Sequence, residues 1–254
     1  MHAPRCYHES DLDDGLERIV PNGQAHLMVN LAEDEFRTYD RRRPVRMDRH
    51  SGSVLSGPHA QSTVLDTREF RWLAAVQFRA GGAAHFVTMP LSEACDQVLS
   101  LDELWRPEGC SLRERLLEAR TPHAKFAVFE EVLLERLEKA FDPAMACAIS
   151  SLERGVTVAR VASSLGLLPR TFTRRFTCKV GISPKRFARV RRMQSVMRSL
   201  RSAGPADWSE LAAQHGYFDQ SHLAHDFREL AGITPTAYKP HSPQRNNHIP
   251  ISAR

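Results

Sequence analysis

Between Glu153 and Asp207 the chain has no acidic residue at all, while thirteen Lys or Arg side chains fall between Arg154 and Arg201. A field of one sign over that length attracts a polyanion. Charge alone leaves a plain solvated basic surface equally open. Long apolar runs are also missing. No stretch approaches eighteen apolar residues, so no membrane span is expected. The first fourteen residues hold no apolar core of signal-peptide length, so export is not expected either. Cysteine is sparse: Cys6, Cys95, Cys110, Cys147 and Cys178 are scattered, odd in number and form no CxxC. Reduced thiols in a cytoplasmic protein fit this better than a disulfide framework. No G-x-S-x-G, H-E-x-x-H or phosphate-loop motif occurs, and Gly81-Gly82 reads as a turn. The histidines, His26, His50, His59 and His85 among them, lack the close paired spacing of ligand sets, so no metal is expected. Neither catalytic residues nor a cofactor are expected.

What is present suits a soluble globular protein. The 254 residues are 42% hydrophobic and 26% charged, with a net charge of +5. That total hides an asymmetry: residues 1–142 carry −6, residues 143–240 carry +9 and residues 241–254 carry +2. Halves of opposite sign argue for two domains with different partners.

The chain changes style near residue 90. Before it, short apolar runs from Ala25 to Leu31, Ser51 to Gly57, Ser62 to Leu65 and Trp72 to Phe78 read as strands. Turn signals separate them, at Pro21-Asn22-Gly23 and at Ala80 to Ala83, and Arg41 to Pro44 reads as a polar linker. A small barrel or sandwich is implied. After Pro90 the pattern turns helical. Leu91 to Leu101 is one candidate helix. Ser111 to Glu114 is a capping box opening another, to about Arg120. Pro122 opens a long helix to about Phe141, with Phe126, Phe129, Leu133 and Leu137 on one face and Asp142-Pro143 ending it. From there to Tyr238 the text is all helix. The polar stretch 241–254 is expected to be a disordered tail.

The second half repeats itself at an offset of about 50 residues. Thr157 to Leu167 lies over Asp207 to Tyr217, matching Val161-Ala162 with Leu211-Ala212 and Gly166 with Gly216. Downstream, Phe172 and Phe176 answer Leu223 and Phe227, and Val180-Gly-Ile-Ser-Pro184 answers Ala231-Gly-Ile-Thr-Pro235. Each unit has the logic of a helix-turn-helix. A small Ala allows a close helix crossing, a Gly takes the left-handed turn, and apolar positions pin the second helix. The exposed face of that helix can enter a major groove. Pro184 to Ser202 reads as one long basic helix joining the units.

This text resembles the AraC/XylS family of transcription regulators over residues 143–240. The resemblance rests on Gly216 to Leu223, on Phe227 and Gly232 to Tyr238, and on the doubled G-x-[ST]-P element. Pro21 to Gly23, Val76 to Phe78, Ala80 to Ala83, Pro90-Leu91 and Leu112 to Leu116 resemble the regulatory domain of one branch of such regulators. The resemblance implies an α+β chain. A β-rich sensor or dimerisation domain spans 1–142, and an all-α DNA-binding domain of two helix-turn-helix units joined by a long helix spans 143–240. It also implies the site. Arg170, Thr173 and Arg174 would read bases from a helix running from about Leu168 to Cys178, with Arg175 reaching phosphate. Gln220, Ser221, His222 and His225 would do so from a helix running from about Asp219 to Leu230. Arginine suits bidentate contact with guanine and glutamine with adenine. The competing reading for each Arg is a phosphate contact without sequence information.

The first recognition helix departs from the family pattern, because Leu168-Pro169 stands where a Ser or Thr cap is usual. Asp219 reads as a cap for the second, and Asp226 would make that unit the weaker binder. Phe172, Phe176, Trp208, Leu223 and Phe227 read as core. One or two of Lys185, Arg186, Arg189, Arg191, Arg192 and Arg198 on the joining helix would reach phosphate, the rest being solvated or paired with the acidic N-terminal half. A duplex operator is the implied partner. The family leaves a small-molecule effector, RNA polymerase and a second copy of the chain open as further partners. The rival reading is the same DNA-binding half fused to an enzymatic or alkylation-repair domain, with chemistry at a cysteine such as Cys6.

Overall fold

Two antiparallel five-stranded sheets face each other in the N-terminal half. The computed structural model describes residues 5–7, 15–41, 43–105, 109–137, 142–200, 207–239, 245 and 247–251. The strands are β1 (Arg5–Tyr7), β2 (Leu16–Ile19), β3 (His26–Asn30), β4 (Glu35–Tyr39), β5 (Met47–Ser51), β6 (Ser53–Ser56), β7 (Thr63–Asp66), β8 (Leu73–Gln77), β9 (Val98–Ser100) and β10 (His248–Pro250). One sheet runs β1-β8-β3-β6-β9 and the other β10-β2-β7-β4-β5.

The first sheet is covered on both faces, and the period of two sorts its side chains. Leu27, Val29, Leu55, Ala74 and Val76 point outward into a core built with helices α1 (Leu101–Leu104), α2 (Gly109–Glu118) and α3 (Pro122–Glu135). Their neighbours Met28, Val54, Leu73 and Ala75 point inward and meet Phe36 and Phe70. Strands buried on both faces are near-continuous apolar runs, which is why β3, β6 and β8 stand out in the sequence. β4 and β5, reading EFRTY and MDRHS, turn polar faces to solvent and carry no such signal.

Several expectations are corrected. Leu91 to Leu101 is not one helix: turns run from Leu91 to Asp96, which takes a left-handed φ of 56°, and strand β9 follows before α1 opens at Leu101. The Asp96 carboxylate accepts the Ala60 N–H at 2.8 Å. The helix expected to open at Ser111 begins two residues earlier, at Gly109. Burial of Leu112 and Leu116 against the sheet, rather than the capping motif, fixes its position. α3 stops at Glu135 because Arg136 and Leu137 donate three residues back, to Leu133 and Leu134, tightening the last turn. The Arg136 guanidinium lies over the Trp105 ring. Leu137 therefore leaves the expected apolar face and is 55% exposed, whereas Phe129 and Leu133 are core. Asp142-Pro143 starts a helix rather than ending one: the Asp142 carboxylate caps the Met145 N–H at 3.1 Å.

The C-terminal half is helical: α4 (Pro143–Glu153), α5 (Val158–Ser164), α6 (Pro169–Val180), α7 (Pro184–Ser199), α8 (Trp208–Gln214) and α9 (Gln220–Ala231). α5 with α6, and α8 with α9, form the two helix-turn-helix units, and α7 joins them. Thr157, Ser183, Asp207 and Asp219 cap their helices through side-chain oxygens, while Leu168 before α6 makes no such bond. Among the described residues no helix is long and apolar enough to cross a membrane.

The two halves share their cores. Val20 and Ile249 are buried with Val190, Met193, Leu223 and Phe227 in the second unit. Ala60 is buried with Phe172, Phe176 and Phe187 in the first. The last turn of each recognition helix is held by the β domain, since the Leu91 N–H reaches Cys178 O at 2.9 Å and the Ser62 N–H reaches Leu230 O at 3.1 Å. Those carbonyls would otherwise lack partners. Gly181 must be glycine, because its φ is 93° and a Cβ would stand 2.1 Å from Pro58 Cγ. Of the tail expected to be disordered, residues 241–244, 246 and 252–254 lie outside the described residues, and the part at His248 to Pro250 is corrected. His248 to Pro250 form β10, which pairs with β2, and Ile249 is 6% exposed. Burying that one apolar side chain and completing the β2 edge offset the ordering cost.

Candidate nucleic-acid interface

α6 is amphipathic in the way a groove-reading helix requires. Phe172, Phe176 and Val180 are buried, and their spacing of four places them on one face. Arg170, Thr173, Arg174 and Arg175 lie exposed on the rest of the helix. Among the described residues none of these three guanidiniums has an ion-pair partner. The C-terminal end of the helix is docked on the β domain, so the N-terminal end points away with these cations on it.

Arg189, Arg191 and Arg192 of the linker are spent differently: among the described residues their acidic partners lie in the helical half and not among the N-terminal acids that the sequence suggests. Asp226 of α9 is 1% exposed. Its Oδ1 accepts from Arg189 Nη2 at 2.6 Å and Nε at 3.1 Å, and its Oδ2 from Arg192 Nη2 at 3.3 Å. Glu229 takes the other edge of Arg189 at 2.7 Å. The Glu229 hydrogen bond first, then Asp226, raises the Arg189 pKa above its ordinary value, against the desolvation that lowers it. Arg192 also donates to Gly216 O at 3.2 Å and lies 4.2 Å above the Tyr217 ring. Arg191 pairs with Glu153 at 3.1 Å. Asp226 therefore does not weaken the outer face of the second unit: it points inward and pins α9 across α7. The sequence missed this pair. The signal was an acid at an otherwise apolar-spaced position of α9, opposite arginines three apart on α7.

On α9, Gln220, Ser221 and His225 are exposed. Gln220 Oε1 accepts the Ser209 hydroxyl at 3.4 Å, which ties it to α8. His225 Nε2 is 3.4 Å from Glu229. His222 is half-buried and part of the turn, where its Nδ1 accepts the Phe218 N–H at 3.4 Å and its ring meets Tyr217 edge-on. Phe218, 92% exposed in the same turn, drew no attention in the sequence.

A second site lies between the sheets. A cavity of about 310 Å³ is lined by residues of both, including His26, Phe36, Ser56, His59, Thr63 and His248. Ser56, His59 and Thr63 form one hydrogen-bonded chain, Ser56 to His59 at 3.0 Å and His59 to Thr63 at 3.3 Å, and His26 stands opposite Ser56 in the ladder. Burial first, then the neighbouring His59 and His248, pushes the His26 pKa down to about 4, so the ring is neutral. Elsewhere, burial and then Asp96 push the Cys95 thiol up to about 11, which leaves it protonated at neutral pH. Among the described residues no group of three His, Cys, Asp or Glu could hold a metal.

Comparison with known proteins bears on both halves. Residues 161–241 match a helix-turn-helix domain family, and residues 5–100 match a domain of unknown function, DUF6597. An AraC-like transcription regulator of Streptomyces antibioticus is 32% identical over 104 residues, which cover 39% of this chain and 34% of that protein. The chain thus spans about a third of that relative. Crystal structures of ToxT from Vibrio cholerae are among the similar solved structures. An apo variant aligns at a TM-score of 0.46 and 13% identity over 92% of this chain and 95% of that one. A second ToxT structure aligns at 0.42 and 12% over 89% and 96%. The doubled helix-turn-helix beside a β-rich N-terminal domain, with the matching domain family and the curated relative, makes the chain similar to the AraC/XylS family of transcription regulators.

Proposed function

We propose that the chain is a sequence-specific regulator of transcription that binds duplex DNA through α6 and α9. Arg170, Thr173 and Arg174 read base edges, Arg175 contacts phosphate, and Gln220, Ser221 and His225 supply the second contact set. His222 supports that set by holding the turn. One observation carries the reading: among the described residues the α6 guanidiniums stand exposed without acidic partners, whereas Arg189, Arg191 and Arg192 are paired with acids of the helical half. Residues 143–240 would form the DNA-binding part and residues 1–142 the regulatory part, with the cavity as the effector site. RNA polymerase, a second copy of the chain and a cytoplasmic setting enter this reading through the family alone. The family is generally non-enzymatic, and the rival chemistry at Cys6 falls on a side chain outside the described residues.

The test is a titration of the full chain against a labelled duplex, read by fluorescence anisotropy at several salt concentrations. Each phosphate contact contributes about −0.9 to the slope of log affinity against log salt. A slope of about −3 or steeper is expected. Folded protein with no salt-dependent binding overturns the assignment.

A further inference from the structure

The strand that follows the DNA-binding half returns to the β domain and becomes part of its cavity. β10 extends the second sheet at its β2 edge, in the register His248 opposite Ile19 and Ile249 opposite Arg18. The Val20 N–H donates to Asn247 O at 2.8 Å and the Ile251 N–H to Leu16 O at 2.9 Å. Alternation splits its side chains. His248 and the preceding Arg245 and Asn247 line the cavity, while Ile249 is buried among the residues of the second helix-turn-helix unit. Facing these, the Val20 to Asn22 segment also belongs to both sites. It lines the cavity, and its carbonyls accept from the joining helix, Gln194 Nε2 to Pro21 O at 2.8 Å and Arg191 Nη1 to Asn22 O at 3.5 Å.

The lining restricts what can enter. Among the described residues Arg245 is its only Lys, Arg, Asp or Glu. That guanidinium faces Glu17, 2% exposed, whose Oε2 stands 3.4 Å from Arg245 and 2.7 Å from His248. The charges close on themselves within the wall. An ion entering would lose its hydration against amides, hydroxyls, the neutral His26 ring and apolar carbon, and among the described residues the charges at the wall already face partners, Arg245 and His248 at Glu17 and His59 at Asp96, 3.7 Å away. An apolar body suits Met28, Phe36, Val54, Phe70, Leu73 and Val98. A hydroxyl, carbonyl or amide suits the chain of Ser56, His59 and Thr63 with His26 beside it.

Resting on the reading of the cavity as an effector site, we propose that it binds an uncharged, mainly apolar small molecule with one hydrogen-bonding end. We further propose that β10 is the wall that closes on this molecule. Ligand binding and β10 docking are then one linked equilibrium, and the second helix-turn-helix unit feels it through Ile249.

Two probes of equal body test this on the full chain: 2-naphthol, neutral at pH 7, and 2-naphthoate, its anionic counterpart. Binding is read by calorimetry, and wall closure by hydrogen exchange of the amides of residues 16–20 and 247–251. The expected result is that 2-naphthol binds at least tenfold more tightly than 2-naphthoate. If undocking of β10 releases the ligand, a concentration of about ten times Kd slows those amides about tenfold. Ile249→Asp should weaken 2-naphthol binding, and Ala75→Trp, which fills the cavity, should abolish it with β10 still protected. Equal or tighter binding of 2-naphthoate overturns the ligand class, as does failure of 2-naphthol to bind. Binding that leaves the exchange of residues 247–251 unchanged overturns the role of β10, whatever the Ile249→Asp protein does. Binding that survives Ala75→Trp places the ligand elsewhere. None of these readouts involves DNA, so the DNA-reading assignment stands or falls separately.

Discussion

Removing Asp226 tests how the second recognition helix is held. The side chain is buried, and it joins α9 to α7 through three hydrogen bonds from Arg189 and Arg192. Truncating one partner of a buried ion pair costs about 3–5 kcal/mol, because the remaining charge stays desolvated. Here the orphaned arginines keep some compensation. Arg189 retains Glu229 at 2.7 Å, and Arg192 retains Gly216 O and the Tyr217 ring. Asp226→Ala should therefore fall near the lower end, about 3 kcal/mol, which corresponds to roughly 6–12 °C in Tm for a chain of this size. Urea denaturation gives the first number and calorimetry the second. Replacing the acid and both bases together, as Asp226→Leu with Arg189→Met and Arg192→Met, should recover most of the loss, because no charge is then left buried and alone. A loss below about 1 kcal/mol for Asp226→Ala, the value of an exposed pair, would refute the reasoning. So would a triple variant less stable than the single one.

Arg174→Ala should weaken operator binding by roughly ten- to a hundredfold, the value of a bidentate guanine contact, and binding to scrambled duplex much less. Equal losses in competition titrations would make Arg174 a phosphate clamp. Gly181→Ala should destabilise the fold well beyond Gly216→Ala in parallel urea melts. Both have positive φ, but a Cβ at 181 meets Pro58 and Leu91 whereas one at 216 meets nothing within 4 Å. Equal losses would mean that the contact with the β domain yields freely. His26 has a folded pKa of about 4 against 6.5 unfolded, so its contribution is complete above pH 6.5 and is lost as pH falls from there toward 4. The stability difference between wild type and His26→Gln should shrink or reverse over that window, and a pH-independent difference would show that the ring is not held neutral. Leu133→Asp should abolish cooperative unfolding, because Leu133 is core beneath the first sheet. A folded, soluble variant of unchanged mass would contradict that placement.

The recognition helices were legible in the sequence because their determinants are local. Phe172 and Phe176, like Leu223 and Phe227, carry the helical period, and Gly181 and Gly232 mark the left-handed ends. The exposed arginines of α6 follow from the same period, since whatever is not on the buried stripe must face out. Strands β3, β6 and β8 were legible for a related reason: burial on both faces writes an unbroken apolar run. β2, β4 and β5 were not, because a strand with one wet face and few residues resembles a polar loop. Leu91 to Leu101 misled because apolar residues spaced by three or four also suit turns leading into a short strand, and only the docking of Asp96 on Ala60 and the pairing of β9 with β6 decided between them. Asp226 could not be assigned from the sequence, because a carboxylate in a recognition helix is surface or core according to what lies across from it. Arg189 and Arg192 lie 37 and 34 residues away. The return of His248 to Pro250 to the β2 edge was equally hidden. Three residues carry no period, and their order comes from an open sheet edge and one apolar pocket that exist only once the rest of the chain has folded.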